Sequence, residues 1–167
     1  MMLSNLSNYL QPIDTSLKNS PFFIGILLRI LIGFLFISQG ESFYNYLNYA
    51  QSLYENSFNN PYFKPIDQDI YVLPYPSILL YLISIPIFLS EIFNVNAFNL
   101  AAIYFTLVFL FFDVLVLRIL SKWVGGQNKQ RLLYLYWLSP VLIYLTYITA
   151  SLDLIALCFF FMSLNYL

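Results

Sequence analysis

The 167-residue chain contains no histidine and one cysteine, and only 9% of its residues carry charge. Without histidine a Ser-His-Asp triad cannot be built, and one thiol supplies no conventional zinc, haem or iron–sulfur ligand set. Cys158 is the single cysteine, which excludes an intrachain disulfide, and its place inside an apolar run points to packing. The net charge is −1 and the seven basic residues form no long cluster, so the electrostatic footprint of a nucleic-acid binder is missing. What is present is hydrophobic: 60% of residues are apolar, 20% are aromatic and the mean hydropathy is +0.74. That leaves too little polar surface to coat a soluble domain. The composition predicts an all-α integral membrane protein in a lipid bilayer.

Residues 1–20 are polar, rich in Ser and Asn, and lack the basic start, apolar run and cleavage site of a signal peptide; they read as a flexible or surface-lying lead-in. Pro21 to Ser38 gives about 18 residues, near the minimum for a first span. Arg29 interrupts it, and an unpaired guanidinium at that depth is costly, so it must face protein or a polar cavity. From Gly40 to Val72 acids, Asn and Tyr replace the apolar run, as in an aqueous outer loop. Within it Phe43, Leu47, Ala50 and Tyr54 recur at helical spacing opposite Asn45, Asn48, Gln51, Ser52 and Glu55, the pattern of an amphipathic juxtamembrane helix. Pro61, Pro65 and the Asn59–Asn60 pair break it.

Leu73 to Phe93 is apolar but carries Pro74, Pro76 and Pro86. Two runs then read as spans, Ala97 to Leu120 and Leu132 to Thr149, the second kinked at Pro140. Arg118, Lys122, Lys129 and Arg131, at and between them, hold four of the seven positive charges. Residues 151–167 form an incomplete last span. The expectation is about four spans in the N-terminal part of a longer polytopic protein, or one half of a split one.

Charge placement bears on topology. If 73–93 spans and the N-terminus is inside, the basic loop falls outside, against the positive-inside rule. If 73–93 is an outer interfacial or re-entrant helix, the acidic loop and Glu91 stay outside and the basic loop falls inside. An outside N-terminus with five spans also puts the basic loop inside, but reverses Lys18 and the acidic loop. The second arrangement places every charged cluster correctly and is the one adopted.

The order of pieces is LRILIGF with Arg29, then Glu41 with Tyr44, Ala50 and Leu53, Pro61-Tyr62, Tyr75-Pro76, the string SEIF from Ser90, and YWLSPVLIYLTYITASLDLIAL. It resembles the N-terminal region of GT-C-fold glycosyltransferases that use a polyprenyl-phosphate sugar, in particular GPI mannosyltransferase I catalytic subunits. The resemblance covers roughly Arg29 to Leu167. It implies transfer of a hexose, mannose first among candidates, to a lipid or glycan acceptor on the non-cytoplasmic face of the endoplasmic reticulum or a prokaryotic plasma membrane. It implies Glu41 as catalytic base and Tyr44, Tyr75, Asp153 and Arg29 as substrate or donor contacts. No metal or other cofactor is implied beyond the lipid-linked donor, and a second membrane subunit or the remainder of the same protein is the implied partner. Phe43 departs from the pattern, standing where a second acid is usual.

Plainer roles remain open beside these. Glu41 can interact with the N-terminal dipole of the helix it precedes, Asp153 can do the same behind a Ser151 cap, and Asp113 can pair with Arg29 inside the membrane. A non-catalytic multispanning subunit, like that of GPI transamidase, or an unrelated small protein of a larger complex, is the competing reading.

Overall fold

The computed structural model describes residues 20–55, 77–124 and 128–164, and among them the backbone is helical with no strand. The polar lead-in at 1–19, the Pro61–Pro65 breaks, Tyr75 and residues 165–167 lie outside the described residues. Helix α1 (Ser20–Phe36) runs through a 3-10 turn (Ile37–Gln39) to α2 (Glu41–Glu55). Helices α3 (Ser77–Phe93) and α4 (Ala97–Val124) follow. A bent pair, α5 (Asn128–Trp137) and α6 (Pro140–Ile148), precedes α7 (Asp153–Leu164).

α4 is the axis of the bundle: α1, α3 and α7 all pack on it. Its register with α1 is antiparallel. Phe43, just beyond α1, meets Phe98 ring to ring, Gly33 backs onto Thr106, Arg29 reaches Asp113, and Phe22 shares a cluster with Leu117. A methyl group on Gly33 would lie 2.5 Å from Thr106 Cγ2, so the two helices approach this closely only because glycine is there. The bent pair runs parallel to α1, with Trp137 over Gly25 at one level and Ile148 against Gly40 at the far one. The acids Glu41, Glu91 and Asp153 therefore gather at one end, and Arg118, Lys122, Lys129 and Arg131 at the other.

Among the described residues two helices, or up to three, are candidate spans, and the expected count of about four is not confirmed. Pro21–Gln39 and Ala97–Val124 are long and apolar enough to cross a membrane, and the α5–α6 pair makes a third if its 42° bend is taken within one span. The 12 residues of α7 reach only about 18 Å and the 17 of α3 about 25 Å, both short of the hydrocarbon core of about 30 Å. These helices are consistent with an integral membrane protein. The kink expected at Pro140 is the bend itself.

α2 is amphipathic as expected, but its buried face is turned. Phe43 and Ala50 are inside as predicted, and they are joined by Tyr46, Tyr49, Leu53 and Ser52, the last assigned to the polar face from the sequence. The tyrosines are the reason: their rings bury against α3 and α4 and draw the helix round, leaving Asn45, Asn48, Gln51 and Glu55 outward. α3 packs side-on against α2 and α4 and presents a stripe of Ile78, Tyr81, Ile85, Phe88 and Ile92 outward, an apolar face suited to lipid.

Pro86 sits inside α3 and has no N–H for the carbonyl of Leu82 four residues earlier. The hydroxyl of Tyr104 on α4 donates to that carbonyl at 3.0 Å. The proline is tolerated at depth because a neighbouring helix supplies the missing donor.

Candidate functional site

Among the described residues the most polar point in the interior is built on Arg29. Three of its partners come from different parts of the chain. Nε donates to Asp113 Oδ2 at 2.5 Å, and Nη1 donates to the carbonyl of Trp137 at 2.5 Å and to that of Gly25 at 3.3 Å. The guanidinium carbon stands 3.8 Å from the centre of the Trp137 ring. Asp113 also accepts from the Tyr136 hydroxyl at 2.6 Å and the Tyr147 hydroxyl at 3.5 Å. Arg29 is 0% exposed and Asp113 4%. Two charges in a low-dielectric interior persist only when paired and hydrogen-bonded to this extent.

This cluster also explains the bend. Pro140 starts α6 without an N–H, and the preceding turn of α5 is widened to a π-helix from Leu133 to Trp137. Its carbonyls must find donors elsewhere. Tyr136 receives the Ser139 N–H at 3.2 Å, and Trp137 receives the guanidinium. A positive charge at the C-terminal end of a half-helix is also favoured by the helix dipole. The Trp137 indole N–H closes the arrangement by donating to the Phe22 carbonyl at 3.0 Å, across the glycine that leaves it room.

Arg29 is thus wholly enclosed, with Nη2 buried and without a hydrogen-bond partner among the described residues. Its pairing with Asp113 is the geometry the sequence allowed. Tyr136, Trp137 and Tyr147 lie in the string that carries the resemblance but have no role assigned from the sequence, although a proline in an apolar run following a buried arginine is a usable signal for freed carbonyls nearby.

The second polar place is the acidic end. Gly40 is pressed against the carbonyl of Ile148 and the backbone of Thr149, so closely that a side chain would collide with them. Glu41 follows at once as the exposed first residue of α2. On the other side of this contact the chain turns through Ala150, which is wholly buried with φ at 55°, and Ser151 Oγ accepts the N–H of Asp153 at 3.2 Å. Asp153 is exposed at the start of α7. The docked corner brings the starts of α2 and α7 to one end of the bundle. Tyr44 is 48% exposed there, its ring against those of Phe43 and Phe98.

Phe43 is wholly buried, edge-on to Phe98 and Phe105. Its ring is part of the core. Among the described residues no three His, Cys, Asp or Glu side chains come together in a way that could hold a metal ion. No family model, curated protein or solved structure matches the chain.

Proposed function

We propose that the chain forms the membrane-embedded N-terminal part of a hexosyltransferase that takes its sugar, mannose first among candidates, from a polyprenyl-phosphate donor. The acceptor hydroxyl belongs to a lipid or glycan on the non-cytoplasmic side. One observation carries the reading: Glu41 is an exposed carboxylate just beyond the first span, fixed by the Gly40 contact at the same end as Asp153. A carboxylate at that level meets an acceptor hydroxyl at the membrane surface and a lipid-borne donor together. Glu41 takes the proton of the acceptor hydroxyl as its oxygen attacks the anomeric carbon. The bond from that carbon to the phosphate oxygen breaks, its electron pair leaves with polyprenyl phosphate, and the configuration inverts. Asp153 suits hydrogen bonds to acceptor hydroxyls better than contact with the donor phosphate, which it would repel.

The direct test is transfer of labelled mannose from polyprenyl-phosphate mannose in native membranes carrying Glu41→Gln. Loss of transfer supports the reading, and unchanged transfer removes Glu41 from it.

A second reading draws on Phe43. A core aromatic stands where the resembled transferases carry their second acid, which suits a non-catalytic multispanning subunit that keeps the architecture without the chemistry.

A further inference from the structure

The end of the bundle away from Glu41 concentrates charge of one sign. Arg118 and Lys122 stand one turn apart on the same side of α4, and Lys129 and Arg131 follow in the opening turn of α5, which packs against α4. Lys122 and Arg131 are exposed, and Arg118 and Lys129 half-buried. Asp113 is the single acid in residues 97–152, and it is already held by Arg29 inside the bundle. The helices that carry the four cations therefore bring no other carboxylate to balance them.

The length of α4 sets this end at the bilayer surface. Its apolar part, Ala97 to Leu117, is about 21 residues or about 31 Å of helix, enough for a hydrocarbon core of about 30 Å. The turns from Arg118 to Val124 are left to the headgroup layer. Trp123 and Val124 are also exposed there, at 44% and 38%, with the Trp123 ring edge-on to Phe161. An indole beside lysine and arginine is the combination that settles at the boundary between headgroups and acyl chains.

We infer that the basic end binds the headgroup of an anionic phospholipid. Lys122 and Arg131 meet the phosphate, Arg118 and Lys129 strengthen the field around it, and Trp123 and Val124 lie against the upper acyl chain. Charge complementarity selects the anionic class, because phosphatidylcholine carries its own ammonium and cancels most of the attraction. The exposed indole and valine select a lipid over a soluble polyanion, which offers charge without an apolar surface. A negatively charged leaflet attracts such a juxtamembrane cluster by an amount that grows with each lysine or arginine.

The chain holds its own reporter, since it has two tryptophans and Trp137 is wholly buried. The full chain is reconstituted in phosphatidylcholine vesicles containing the same low mole fraction of either brominated phosphatidylglycerol or brominated phosphatidylcholine. Bromine quenches a nearby indole, and the Trp123→Phe chain gives the part of the signal that belongs to Trp137. Brominated phosphatidylglycerol is expected to quench Trp123 about fivefold more than brominated phosphatidylcholine. The excess should vanish in Trp123→Phe, shrink as salt is raised, and fall close to level in the Lys122→Gln and Arg131→Gln double variant, whose two changes are at exposed positions. Equal quenching by the two lipids would overturn the inference. So would an excess that persists in Trp123→Phe or is unchanged in the double variant, because the anionic lipid would then gather elsewhere on the chain.

Discussion

Arg29 donates to the carbonyl of Trp137 that the bend before Pro140 leaves without its helical partner, while its other edge is held by Asp113. One buried cation therefore neutralises an acid and caps a broken helix. Removing either partner leaves an uncompensated charge in the interior. Asp113→Asn or Arg29→Gln is expected to cost about 3–5 kcal/mol. Arg29→Gln also strips the Trp137 cap, so the double variant should not recover wild-type stability. Thermal unfolding of the chain in lipid nanodiscs, read as a double-mutant cycle, measures this.

A second proline is served in the same manner, and the coupling is separable. Tyr104→Phe removes only the hydroxyl that reaches Leu82, at an expected cost of about 1 kcal/mol. In a Pro86→Ala background the helix regains its own N–H donor, and the same change should then cost much less. Equal costs in the two backgrounds would show that the hydroxyl does not serve the freed carbonyl.

The turn before α7 stores strain at Ala150, whose positive φ costs a non-glycine residue about 1–2 kcal/mol. Ala150→Gly is accordingly expected to raise the unfolding temperature. Gly40→Val should do the reverse, because the added side chain collides with the Ile148 carbonyl. Overpacking of this kind costs about 1–3 kcal/mol. Both changes are read in the same nanodisc unfolding assay.

The separation of charges predicts which residues share a side. Single cysteines at Ser77 and Glu91 should react with an impermeant maleimide from the non-cytoplasmic face, and cysteines at Lys122 and Gln130 only after permeabilisation. All four positions are exposed, whereas Ser90 is buried with its hydroxyl on the Ile87 carbonyl and would report burial instead. Labelling of Lys122 from outside would reverse the topology.

The parts readable in the sequence were those set by strong one-dimensional signals. Arg29 in an apolar run demanded a partner, and Asp113 was the acid within another run. Pro140 announced a bend, and the acidic and basic segments announced two sides. What escaped depended on contacts between distant elements. The face of α2 is set by tyrosines that pack on α3 and α4, so helical spacing alone misplaced Ser52. The service of Tyr104 to Pro86 and the seat of Trp137 over Gly25 depend on helix register, which periodicity does not encode. The acidic corner was legible residue by residue, through Glu41 and Asp153. Its assembly rests on Gly40, a position with no chemical signature.

The central proposal is tested most directly at Glu41. Native membranes should transfer mannose from polyprenyl-phosphate mannose, and Glu41→Gln, which keeps the shape and removes the base, should lower the rate by about 100-fold or more. The unfolding temperature should be unchanged, since the side chain is exposed. Transfer at the wild-type rate by a normally folded Glu41→Gln protein would contradict the account.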